Sequence, residues 1–158
     1  IVFGGGFPRS PAELVRRASQ RAIFRIQQEI EGLAIAEGEA AVALCDRGTL
    51  DGVAYWPGTA ESFFTGLGTN AQEQLQRYAA VIHLETPGAD SGYDRSNALR
   101  IETPSEARAI DARIAEAWNA HPQRVTIPST TNFIDKALMA LSAIRAQLPE
   151  SCRLPVQQ

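Results

Sequence analysis

The chain has 158 residues, 44% hydrophobic and 21% charged, the composition of one folded domain and not of a disordered chain. A net charge of −3 offers no basic footprint for wholesale nucleic-acid binding, and no stretch approaches the ~20 apolar residues of a membrane span. Cys45 and Cys152 by themselves make neither a disulfide framework nor a zinc site, and no signal-peptide pattern is present, so a cytoplasmic protein is expected.

Gly4-Gly5-Gly6 does not read as a phosphate loop, which needs GxxxxGK[ST] with its lysine. Lys136 is the only lysine among the 15 Lys and Arg residues. The glycines read instead as a turn, with Arg9 placed to reach a substrate. Ser10-Pro11-Ala12-Glu13 then predicts a capping box with Pro at the first helical position. Leu14, Ala18, Ala22, Ile26, Ile30 and Leu33 follow at steps of three and four, the spacing of one apolar helical face. Gly38 is the expected stop.

Ala41-Val42-Ala43-Leu44-Cys45 predicts a buried strand ending in Asp46-Arg47-Gly48. Residues 48–69 read as irregular, and a weaker helix covers Gln72–Tyr78. A second strand is expected at Ala80–Leu84. Residues 87–102 form a long polar loop, and such loops tend to be lids or binding loops. Thr103-Pro104-Ser105-Glu106 opens another capped helix, with Ala107, Ile110, Ile114, Ala117 and Trp118 on one face. Arg124–Ile127 predicts a third strand. The last helix begins near Thr131, carries Phe133, Ala137, Leu138, Leu141, Ile144 and Leu148 on one face, and stops at Pro149. Alternating helices and apolar strands predict an α/β fold with a parallel sheet. Residues 1–158 are read as a single domain, with a lid-like segment at about 87–103.

Several residues are placed for chemistry. Asp46, at a strand's carboxyl end, is of a type to hold magnesium through water or take a proton from a substrate hydroxyl, and an adjacent arginine such as Arg47 grips phosphates. The alternative is a structural ion pair; Asp51 could share either role. Arg95 and Arg100 suit charge stabilisation over a polyphosphate, or else belong to a solvated loop. Tyr55 and Trp56 line a pocket or pack; Gln20 and Gln27, seven residues apart, read a base or face solvent. His83 reads as a core side chain. His121 lies at a helix end, where a cation suits the dipole.

Several stretches together resemble a known family. They are Gly4-Gly5-Gly6-Phe7-Pro8-Arg9, Leu44-Cys45-Asp46-Arg47-Gly48-Thr49-Leu50-Asp51-Gly52 with Tyr55-Trp56-Pro57, Val81–Leu84, Tyr93–Glu102, Ile110-Asp111 with Trp118, His121-Pro122 and Phe133–Lys136. In order along nearly the whole chain, they resemble the AAA-type P-loop ATPases of the nicotinamide-riboside-kinase-like group, bacterial predicted ATPases close to nucleoside and nucleotide kinases.

The resemblance implies a P-loop fold with an ATP and Mg2+ site. Asp46 falls at the Walker-B-like or base position, with Arg47 beside it as in the kinase Asp-Arg motif. Arg95 and Arg100 fall in the lid, and Ser129, Thr130 and Thr131 lie beside the nucleotide base. It also implies a first strand and a Walker A loop upstream of Ile1. The expected function is an ATPase or a phosphotransferase acting on a small nucleoside- or nucleotide-like acceptor, with Arg9, Gln20, Asp51 and Tyr55 toward that acceptor. A small-molecule substrate is expected, with no nucleic-acid partner. The alternative expectation is a nucleotide-dependent binding or regulatory protein with little turnover. A third reading leaves the Asp and Arg residues purely structural.

Overall fold

The computed structural model describes residues 10–87, 103–130 and 132–152. Within them, α1 (Glu13–Glu37), α2 (Asp51–Tyr55), α3 (Ala60–Leu67) and α4 (Ala71–Leu75) precede β1 (Val81–Leu84). Then come α5 (Pro104–Ala117), β2 (Arg124–Ile127), α6 (Phe133–Gln147) and a 3-10 turn at Glu150–Cys152. β1 and β2 pair in parallel, Val81 opposite Arg124 and Leu84 opposite Ile127. The expectation of an α/β fold with parallel strands holds in its coarse form: among the described residues the sheet has two strands, with helices around it.

Local signals decided several element ends. Thr103 caps α5 by accepting the Glu106 N–H, and the Glu106 carboxylate accepts the Thr103 N–H at 2.8 Å. These reciprocal bonds satisfy amide donors that the first helical turn leaves unpaired. They also hold the Glu106 carboxyl below its ordinary pKa. Gly38 ends α1 and Gly68 ends α3 at φ 64 and φ 69, left-handed conformations that cost glycine nothing. Arginines do much of the remaining capping. Arg25 donates to the Leu67 carbonyl at the end of α3 (2.7 Å) and Arg124 to Ala115 near the end of α5 (2.9 Å). Arg16 donates to Tyr55 at the end of α2 (3.0 Å). Cations placed there satisfy orphan carbonyls and the negative end of the helix dipole together.

Four expectations are corrected. The capping box at Ser10–Glu13 does not form: α1 starts without a side-chain cap, and Ser10 Oγ instead accepts the Ala12 N–H. The aliphatic stripe of α1 is not its packed face, since Leu14 is 82% and Ile30 61% exposed while Ser19, Phe24 and Glu31 are buried. Residues 41–45 form no strand among the described residues, and Val42 and Leu44 are exposed. A strand is stable only when its amides find a ladder partner, and among the described residues β1 pairs with β2 alone. Residues 48–69, expected to be irregular, contain α2 and α3 and most of the core.

That core is aromatic. Phe63, fully buried, meets Phe24, Trp56 and Phe64 edge-on at centroid distances of 5.9, 5.4 and 5.4 Å. Edge-to-face contact sets the positive rim of one ring against the negative face of another. Leu67 completes the cluster, the Trp56 indole N–H donates to Ser62 Oγ at 2.9 Å, and Arg17 lies over the Trp56 ring at 5.2 Å. The face expected for α5 does pack, ending in buried Trp118, whereas α6 leaves Phe133, Leu138 and Leu141 exposed.

Candidate functional site

The 46–55 segment is held from both sides. Thr49 and Leu50 are buried at 2% and 1% exposure. Gly48 passes so close beneath the Trp118 ring that a Cβ there would overlap it. Asp51 Oδ1 accepts the Trp118 indole N–H at 2.7 Å, and Oδ2 pairs with Arg47 Nη1 at 3.3 Å. Tyr55 also faces Arg47. Burial opposes the Arg47 charge, but Tyr55 and Asp51 outweigh it and raise its pKa. Gln27 donates to the Arg47 carbonyl at 2.8 Å, and Gln20 reaches over Gly52.

The structure therefore brings Arg47, Asp51, Tyr55 and Gln20 together along the α1–α2 contact. Asp51 has a structural duty, that of holding Trp118. Asp46 differs: it is exposed, and its carboxylate has no hydrogen bond or ion pair among the described residues.

Sequence reading missed the group beneath this segment. Glu31, 9% exposed, receives Arg77 Nη2 on Oε2 at 2.6 Å. Its Oε1 receives the Tyr78 hydroxyl and Gln27 Nε2, each at 2.7 Å. The Tyr78 hydroxyl also accepts the Thr49 N–H at 2.7 Å. Burial pushes the Tyr78 phenol up to about 12, with the Thr49 bonds opposing and the Glu31 carboxylate adding. Cys45, beside this group, has its thiol raised by burial first, then by Glu31, against Arg77. A charged residue on a helix face that looked solvated gave no hint of this, because its partners lie 46 and 47 residues away.

The other predicted residues lie elsewhere. Tyr78 is three residues ahead of β1, and Trp118 six ahead of β2. The 46–51 segment, tied to both, thus sits toward the amino ends of the strands. Ser129 and Thr130 follow the carboxyl end of β2; both are half-buried, and Thr130 Oγ1 donates to the Asn132 carbonyl at 2.7 Å. The structure does not bring these two groups together. Arg9, Arg95, Arg100 and Thr131 lie outside the described residues, as does the lid-like segment from 88 to 102.

His83 is buried on β1 as expected. His121, expected near a helix end as a cation, is buried, taking the Gln123 N–H on Nδ1 at 3.1 Å. Its Nε2 therefore donates to the Tyr78 carbonyl at 2.8 Å. Trp56 packs in the aromatic core, and Tyr55 is half-buried beside Arg47.

The chemistry of the donor set fits a nucleotide-bound magnesium at one position. Magnesium commonly keeps its waters and takes one or two protein carboxylates, the rest of its shell coming from phosphates. Asp46, unengaged and exposed, is such a carboxylate. Among the described residues no group of three His, Cys, Asp or Glu side chains forms a closed metal cage, and no helix is long and apolar enough to cross a membrane.

No curated protein and no solved structure matches the chain. A family described as an AAA domain matches residues 8–136; with its parallel strands and flanking helices, the chain belongs to this AAA domain family of P-loop nucleotide-binding proteins.

Proposed function

We propose that the protein binds ATP with Mg2+ and transfers the terminal phosphoryl group to water or to a small nucleoside- or nucleotide-like acceptor, in the manner of the nicotinamide-riboside-kinase-like group. The observation that carries this reading is Asp46, an unengaged carboxylate beside an exposed arginine inside the family match. The reading takes its phosphate-binding lysine and Ser/Thr from a strand–loop–helix unit outside the described residues.

Magnesium, when bound, neutralises charge on the phosphate oxygens. Asp46 orients that cation through water or accepts the proton of the acceptor hydroxyl. Arg47, Arg95 and Arg100 supply positive charge to the phosphates, and Ser129, Thr130 and Thr131 flank the base. The acceptor is assigned to Gln20, Asp51 and Tyr55, and to Arg9.

The test is ATP turnover by the intact protein against a panel of nucleosides and nucleotides. Asp46→Asn is expected to lower turnover by roughly 10²–10³-fold, the usual cost of one electrostatic group, with the unfolding midpoint unchanged. Unaltered turnover removes the role given to Asp46. Absence of magnesium-dependent ATP binding at micromolar concentration overturns the whole reading.

A further inference from the structure

Asp46 is aimed by its backbone alone, because its exposed carboxylate has no hydrogen bond or ion pair among the described residues. The two peptide planes on either side of Gly48, just downstream, are both anchored. The Arg47 carbonyl accepts Gln27 Nε2 at 2.8 Å, and the Thr49 N–H donates to the Tyr78 hydroxyl at 2.7 Å. Both anchors end on one atom: Glu31 Oε1 accepts Gln27 Nε2 and the Tyr78 hydroxyl, each at 2.7 Å. The Trp118 ring closes another side, so near that a Cβ on Gly48 would overlap it.

Gln27 is the half-buried link between the buried group and the carbonyl. Its two partners, a carboxylate and a carbonyl, only accept, so its amide nitrogen faces both and each of its two hydrogens is engaged. A hydrogen bond to an ionised group is stronger than one between neutral groups, and in a low-dielectric surround one bond polarises the next. Glu31 is such a group: it is 9% exposed, and Arg77 Nη2 pairs with its other oxygen at 2.6 Å.

We propose that Gln27 is a positioning residue for phosphoryl transfer, carrying the fixed place of Glu31 to the Arg47 carbonyl and so aiming Asp46. The role rests on the phosphotransfer reading, in which Asp46 orients the cation or takes the acceptor proton. Gln27 itself touches no substrate. Misplacing a reacting group by about 1 Å costs as much as roughly 10²-fold in rate. Alignment is realised in the transition state, so its loss shows in kcat before it shows in affinity.

The experiment is ATP turnover by the intact protein, with Mg-ATP affinity by calorimetry and the urea midpoint measured for each variant. Gln27→Met keeps the side-chain length and loses both donors. Glu31 still has Arg77 and Tyr78 in that variant, so the fold is expected to persist. Because the Tyr78 anchor also remains, kcat is expected to fall roughly tenfold, with a smaller change in Mg-ATP affinity. Gln27→Lys, whose ammonium can donate to both oxygens, should recover part of the loss. In Asp46→Asn there is no carboxylate left to aim, so adding Gln27→Met should slow that variant little further.

An unchanged kcat in folded Gln27→Met overturns the role. So does a loss no larger than the unfolded fraction accounts for, or a lysine variant as slow as the methionine one. A loss that multiplies in full with that of Asp46→Asn overturns it too. Each of these outcomes leaves wild-type turnover, and the phosphotransfer reading, standing. A wild-type protein without magnesium-dependent turnover overturns that reading, and the role of Gln27 with it. Gln27→Ala gives the same comparison should Gln27→Met not fold.

Discussion

Glu31 shows how much a single side chain carries here. It is buried, ionic and triply bonded, to Arg77, Tyr78 and Gln27. Removing one partner leaves a charge desolvated without compensation, which costs more than the pair contributes. Arg77→Met is therefore expected to destabilise the protein by about 2–4 kcal/mol in urea unfolding. Leu44→Ser, on the neighbouring exposed run, should change the free energy of unfolding by under about 0.5 kcal/mol.

Tyr78 adds a pH dependence of known sign. Its ordinary phenol pKa is 10.0 and burial lifts the folded value to about 12. The folded state thus favours the protonated phenol. That stabilisation is complete below pH 10 and disappears as the pH rises through about 12. Stability measured across this window should fall, and Tyr78→Phe should flatten this part of the fall. An unchanged slope in the variant would show that the phenol titrates as it does in the unfolded chain.

At the scale of elements, α1 is the informative case. Its aliphatic stripe and its packed face are different faces, because Phe24 and Glu31 find partners in α3 and beside Tyr78 that outweigh the stripe. Phe63→Ala is expected to cost about 3–5 kcal/mol, as for a large ring removed from a packed core. Leu14→Ala should be nearly silent. A large loss at Leu14 in thermal unfolding would mean that the stripe is covered after all. The two helix starts that carry sequence capping signals make a second contrast. At Thr103 the box closes, so Thr103→Ala should lower stability by about 1 kcal/mol. At Ser10 the box stays open, and Ser10→Ala should change little.

At the scale of the whole molecule, two aspartates five residues apart divide structure from function. Asp51 holds the Trp118 indole and Arg47; Asp46 holds nothing among the described residues. Asp51→Asn should lower the unfolding midpoint while keeping part of any turnover. Asp46→Asn should do the reverse. The same direction in both assays for both variants would dissolve the distinction.

The sequence by itself determined what depends on neighbours in the chain. Thr103-Pro104-Ser105-Glu106 caps α5 and Gly38 ends α1. The Val81–Leu84 and Arg124–Ile127 runs form strands, and Pro149 lies just past the end of α6. These outcomes depend on amides, carbonyls and torsions within a few residues, so the local string is enough. The resemblance carried by Asp46-Arg47-Gly48 and the later segments likewise led to the AAA domain family. Only the tertiary structure decided which face of α1 is buried, that 48–69 builds the aromatic core, and that 41–45 stays unpaired among the described residues. It also decided that Asp51 serves Trp118 and that His83 faces Asp111. Each depends on partners tens of residues away, and a helix face or an apolar run is worth burying only where such a partner arrives.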